Sequence, residues 1–334
     1  MKTIFKWNYT LLLITGLALL APTVSAQQDS SNGTEELILT SLPVTFFLAS
    51  SLLADTAINV RNLPPRGRRL NGQANYFESR AESLAETFNA AIAVITIGKL
   101  WRDDPIFTAV RGSNIRVVEI DATKPWSSTL EGVSIAMSPR QDASWMPNST
   151  VNAVSAATPS LFFWLSLANA NRSADIIARD LMRLLPDEAS QIQVNLTTLR
   201  RKLLDLQHRY EIAFLEVPDV TVFSLASELV YLTSDLGLFV DGSFYKQDIY
   251  WTEDDLVGLS NHLRNNQVAV VLHKWEPAEP ILNAIESAGA SLVVVETLDS
   301  GIVESGNMLA ESYFLMMEAN LENIRAALAA TSRN

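Results

Sequence analysis

Two hydrophobic periods alternate along this chain. "LILTSL" (37–42) is a short, mostly apolar run of the kind that forms a buried strand. "PVTFFLASSLLAD" (43–55) has helical spacing, with Pro43 in its first turn, where a proline is tolerated. "TAINVRNL" (56–63) alternates like a strand, and "PPRGRRLNGQ" (64–73) is loop by composition. "SRAESLAETFNA" (79–90) predicts an amphipathic helix leading into an apolar strand, "AIAVITIG" (91–98). "NIRVVEID" (114–121) predicts another strand. Strands alternating with helices imply a mostly parallel sheet with helices on its faces.

The middle of the chain changes character. From Ser173 to about Leu215 the pattern is helical, broken at "LLPDEA" (184–189) by Pro186. The second helix opens with Asp187 and Glu188, which suit the helix dipole. It carries Leu196, Leu199, Leu203, Leu206 and Tyr210 at a steady three-or-four spacing. From Asp187 to Leu215 it spans roughly 43 Å, long enough to cross a two-lobed protein. After Pro218 the strand and helix alternation resumes. Strands are expected at 219–225, 268–273 and 291–298, and helices at 227–237, 252–266, 277–289 and 310–330. Thr252 stands as the N-cap of the helix at 252–266. The fold class is α/β: two lobes, each a mostly parallel sheet with flanking helices, joined by one long linking helix.

The N-terminus adds an address. Lys2 and Lys6 precede an apolar run, Leu11 to Ala21, and Val24-Ser25-Ala26 places small residues before a cut. This is the pattern of a signal peptide over residues 1–26, cleaved after Ala26. Residues 27–36 are polar and read as a disordered lead-in. The remaining boundaries are an N-terminal lobe over 37–171, linking helices over 172–216 and a C-terminal lobe over 217–334. The chain has no cysteine, which excludes disulfides, thiolate metal sites and a lipid anchor on cysteine. Export without an anchor points to a periplasm.

The formal charge of the whole chain is −12. Loss of Lys2 and Lys6 with the leader makes the mature protein more acidic still. Such a chain does not seek nucleic acid or an anionic membrane. No Gly-x-Ser-x-Gly, no His-Glu-x-x-His and no cysteine nucleophile occurs, so nothing points to an enzyme.

Several segments, taken in order, carry a resemblance. They are "NLPPRG" (62–67), "WLSLANA" (164–170), "LPDEASQIQVNLTTLRRKLLDL" (185–206), "ELVYLTSDLGL" (228–238), "VVVETLDSG" (293–301) and "YFLMMEANLENIRAAL" (313–328). The order and spacing are similar to the metal-type periplasmic solute-binding proteins of zinc and manganese ABC importers. "NLPPRG" resembles that family's Leu-Pro-Pro-Gly turn, and "WLSLANA" its Trp-Leu-Asp-Pro-x-Asn-Ala segment. The resemblance implies an ABC permease and its ATPase as partners.

The family holds its metal with three histidines, or two and a glutamate, plus an aspartate. Carried over position by position, the first histidine falls near Tyr76, the second at Phe162, just before Trp164, and the third at Ala226. The strand-end ligand falls close to His273 and the last aspartate at Asp299. Phe162 and Ala226 donate nothing to a metal. His208 and His262 read as solvated helix faces. At most His273 and Asp299 remain as ligands, both from one lobe. The resemblance therefore implies Zn or Mn bound weakly, in an eroded or remodelled site. Two other readings stay open. One is a small organic or chelated ligand in an aromatic cleft lined by Tyr76, Phe162, Phe163, Trp164 and Trp275. The other is an interaction protein with no small ligand.

Overall fold

The computed structural model describes residues 36–139 and 158–331. The expected signal peptide and nearly all of the expected lead-in lie outside the described residues. The first lobe runs β1 (Leu37–Thr40), α1 (Pro43–Leu52), β2 (Asn59–Asn62), α2 (Leu70–Ala90), β3 (Ala91–Thr96), α3 (Pro105–Ser113) and β4 (Val118–Asp121). Two long helices follow, α4 (Leu167–Leu184) and α5 (Ala189–Leu215). The second lobe runs β5 (Thr221–Ser224), α6 (Val230–Asp235), β6 (Phe239–Ser243), α7 (Glu253–Asn265), β7 (Val270–His273), α8 (Glu279–Ser287) and β8 (Ser291–Val294). A small hairpin, β9 (Val303–Glu304) and β10 (Asn307–Met308), precedes α9 (Ser312–Thr331).

Each lobe has a four-stranded parallel sheet, ordered β2-β1-β3-β4 in one and β6-β5-β7-β8 in the other. The two topologies are the same, although the sequence shows no repeat. Both central strands are buried on both faces, which is why they read as apolar runs rather than alternating ones. Side chains still divide by face. Ile38, Ala93 and Ile95 join the core shared with α1, α4, α5 and α9, whereas Leu37, Leu39 and Val94 join a separate core under α2 and α3. In the second lobe Val222 and Leu272 face the shared core, and Phe223 and Val271 pack under α7 and α8.

That shared core is continuous across the lobes. α5, about 40 Å long by its residue count, lays Ile192, Leu196, Leu199, Leu203, Leu206, Tyr210 and Phe214 into it. Its Asn195 amide also donates to the carbonyls of Leu52 and Ala54, at 2.9 and 2.7 Å, satisfying backbone acceptors at the end of α1. Phe47 of α1 meets Tyr313 and Phe314 of α9, with ring centroids 5.5 and 6.0 Å apart.

Polar contacts add a second tie between lobes. Tyr231 on α6 accepts from the Ala136 N–H at 2.9 Å and donates to the Ser160 carbonyl at 3.4 Å. Asp235, also on α6, accepts from the Ser166 hydroxyl and the backbone N–H groups of Leu167 and Ala168. A carboxylate at the start of α4 suits the helix dipole, while burial pushes its pKa up.

Some elements depart from expectation. α2 starts at Leu70, inside the stretch whose composition read as loop. The reason is Gln73, which is fully buried and donates to the carbonyls of Ser41 and Arg68. α4 starts at Leu167, capped by the Ser166 hydroxyl on Asn169 N–H, rather than at Ser173. α3 and β6 were not expected. Asp104 caps α3 with Pro105 in its first turn, a signal legible in the sequence. β6 is an edge strand that exposes Phe239 and Val240, so it shows no alternation. His208 is exposed as expected. His262 is not: its side chain is 11% exposed, it lies 2.7 Å from Asp241 Oδ2, and it packs edge-on to Phe223. The small Gly242 leaves it that room.

One residue draws these ties together. Trp164 is fully buried; its indole N–H donates to the Thr297 carbonyl at 2.8 Å, and its own carbonyl accepts from Tyr313 OH at 2.8 Å. Trp164→Phe keeps the ring but strands a buried carbonyl, and is expected to lower stability by about 1–3 kcal/mol. Guanidinium unfolding monitored by circular dichroism measures this; an unchanged midpoint contradicts the role given to the bond.

Candidate functional site

In open α/β sheets, ligands sit at the carboxyl ends of the strands, where the strand order reverses. Here that point lies between β1 and β3 in one lobe and between β5 and β7 in the other. In the second lobe it presents Ala226, Ser227 and Glu228 after β5, and His273 and Lys274 at the end of β7.

Tyr76, Phe162, Trp164, Ala226, His273 and Asp299, expected near the site, fall into three places. Phe162, Trp164 and Ala226 belong to the core shared by the lobes, with Phe162 partly buried and its ring 5.2 Å from that of Trp164. Ala226 is 3% exposed and brings no donor side chain. Tyr76 packs instead against the separate core under α2 and α3, T-shaped to Phe77, with the guanidinium carbons of Arg68 and Arg80 each 5.8 Å from its ring centroid. Burial raises its phenol pKa, with the two arginines pulling it back. His273 and Asp299 sit in the second lobe, both buried.

Asp299 is connected back to the buried tryptophan. Its Oδ1 accepts from the Thr297 hydroxyl at 2.8 Å, and the Thr297 carbonyl is the acceptor for Trp164. Across the seam, Arg69 of the first lobe places Nη1 3.6 Å from the same Asp299 oxygen. A buried carboxylate needs a counter-charge, and this one has a guanidinium from the opposite lobe. Arg69 was not singled out by the sequence; "GRRL" read as loop.

A second internal pair stands beside His273. Lys274 binds Glu228 in an ion pair, and its ammonium lies 4.7 Å from the Trp275 ring centroid. The His273 ring packs 4.6 Å from that of Trp275, whose indole N–H donates to Asp248 at 3.2 Å. His273 Nδ1 is buried and has no hydrogen-bond partner among the described residues. Burial depresses the His273 pKa to about 4, aided by Lys274 and opposed by Asp248 and Glu228. Neutral tyrosine, phenylalanine and alanine leave few donors, and among the described residues no three histidines, acids or cysteines group as metal ligands.

The pKa of His273 has a consequence for stability. The unfolded chain takes up this proton below about pH 6.5, while the folded chain resists it down to about pH 4. The contribution is therefore complete above pH 6.5 and is lost as pH falls toward 4. His273→Gln is expected to flatten that part of the pH–stability curve, measured by urea unfolding between pH 4 and 7. Identical curves for both proteins contradict the buried neutral imidazole.

Several solved structures share this fold, and the names of two of them describe a bound metal. A mutant of FpvC from Pseudomonas aeruginosa matches with a TM-score of 0.67 at 17% identity, covering 88% of this chain and 99% of that one. FpvC in complex with Mn2+ from the same organism gives 0.64 at 17%, covering 88% and 98%. The Zn(II)-bound ZnuA-like domain of Streptococcus pneumoniae AdcA gives 0.61 at 16%, covering 89% and 100%. At these identities the likeness is one of fold. No curated protein sequence matches. The model of the family described as "Zinc-uptake complex component A periplasmic", ZnuA, matches residues 38–327, nearly all of the two-lobed body, and the chain belongs to that family.

Proposed function

We propose that this chain is the periplasmic solute-binding component of a metal-type ABC importer, and that its interlobe metal site has been remade with internal cations. The family consists of transport binding proteins, not enzymes. An ABC permease and its ATPase are the partners this reading requires. Export follows cleavage after Ala26. No helix among the described residues is long and apolar enough to cross a membrane.

The observation that carries the remade site is the pairing of Asp299 with Arg69. Zn2+ and Mn2+ need several N or O donors converging on one point. Of the positions that the resemblance assigns to ligands, Phe162 and Ala226 supply none. Asp299 already faces a guanidinium, and Glu228, at the same end of the sheet as His273, is taken by Lys274. A cation entering here has to displace a fixed charge or bind against it. Family membership supports transport; the donor set supports a changed or weakened cargo preference.

Equilibrium dialysis of the purified protein against Zn2+ and Mn2+ tests the reading. Weak, substoichiometric uptake is expected, and submicromolar binding of one ion per chain refutes the remade site. Arg69→Gln is a second check. It strips the counter-charge from a buried carboxylate and is expected to cost about 1 kcal/mol, since Arg69 itself is half exposed. Excess Zn2+ should not restore the lost stability. Restoration by Zn2+ shows that Asp299 still belongs to a working metal site.

A further inference from the structure

The rim of the seam between the lobes carries a feature that the cargo does not explain. The chain has 37 acidic and 25 basic residues, yet the loop from β2 to α2 gathers Arg66, Arg68 and Arg69 within four positions. Arg66, Arg68 and Arg80 are all exposed. Among the described residues none of these three has a carboxylate within ion-pairing distance; only Arg69 is taken, by Asp299.

Two of these guanidiniums, those of Arg68 and Arg80, are held in place. Arg68 and Arg80 both rest by the Tyr76 ring, a contact that lowers the entropy lost on binding. The buried Gln73 amide fixes the backbone of Arg68 by donating to its carbonyl at 3.1 Å. The loop is also clasped by the other lobe. The Met308 N–H donates to the Pro65 carbonyl, and a β-carbon on Gly67 would stand 2.6 Å from Met308 Cε. Gly67 has φ +70°, a conformation that glycine adopts without penalty. A β-carbon on Gly306, in the turn of the β9–β10 hairpin, would come within 3.9 Å of Arg66 Nη2. That hairpin region exposes Ile302 and Val303, at 37% and 41%.

Unpaired, prepositioned guanidiniums beside exposed apolar side chains fit a carboxylate-bearing polypeptide. Forked N–H donors match carboxylates, and the apolar pair offers burial for a neighbouring side chain. The rest of this acidic body repels such a partner, so the patch sets its orientation on approach. We infer that Arg66, Arg68 and Arg80, with Tyr76 and the β9–β10 hairpin, form a docking surface for an acidic segment of a protein partner. Both lobes build this surface, so it is complete only while the lobes are together.

The test is fluorescence anisotropy with a labelled oligoglutamate peptide, at low and at physiological salt. Saturable one-to-one binding that weakens with salt is expected for the unmodified protein. Arg68→Ala/Arg80→Ala should weaken it by about tenfold or more, whereas Arg111→Ala, on α3, should leave it unchanged. Thermal melting checks the folding of each variant. If the alanine pair melts early, Arg68→Gln/Arg80→Gln removes the charges while retaining polar side chains. The proposal is overturned by absence of binding at low salt or by equal binding in a folded double variant. Displacement of the peptide by phosphate or free glutamate at matching concentration also overturns it, because that marks a small-anion site.

Discussion

The two lobes meet on the buried indole of Trp164. Its N–H reaches the carbonyl that follows β8, and its own carbonyl takes the Tyr313 hydroxyl from α9. A buried indole N–H must find an acceptor, so the short 3-10 turn Phe163–Leu165, which carries Trp164, is fixed against the second lobe. From that anchor the rest follows. Ser166 starts α4, Asp235 binds the same helix start from α6, and Thr297 passes the connection to Asp299. The seam is thus built from one apolar core and a short chain of hydrogen bonds, with Arg69 closing it at the far end.

This arrangement places cations of the protein's own at the strand ends of the second lobe. Arg69 neutralises Asp299 across the seam, and Lys274 neutralises Glu228 within the lobe. A two-lobed binding protein that relies on cargo for closure needs open donors on both sides. At the position that the resemblance assigns to a first-lobe ligand stands Phe162, an apolar ring packed on Trp164. In the proposed reading, apolar packing and internal ion pairs accomplish without an ion what a shared metal would do by bridging. The fold is that of a zinc-uptake family member, and the residues described at the seam join the two lobes through Trp164 and the Arg69–Asp299 pair.

Much of the architecture was legible because burial dictated the pattern. The central strands β1, β3 and β7 are apolar because helices cover both faces, and α5 shows its stripe because one side lies in the shared core. The elements that escaped had weaker physical signatures. β6 sits at a sheet edge with Phe239 and Val240 in solvent, so nothing forces alternation. The start of α2 hides in a run of arginines and a glycine, because its one buried anchor, Gln73, is polar. His273 ends β7 as its strand pattern suggested, whereas Asp299 lies five residues beyond the end of β8, and the partners of neither could be read from the sequence. Arg69 lies 230 positions from Asp299, and Lys274 lies 46 from Glu228. Such charge pairs leave no local periodicity, and only the folded chain brings them together.

The central claim is that the protein's own side chains, not a bound ion, hold the lobes together. Small-angle X-ray scattering of the metal-stripped protein, before and after addition of Zn2+, tests this most directly. The account predicts the same radius of gyration in both states, matching the closed two-lobed body. A larger radius without metal, contracting when Zn2+ is added, contradicts it.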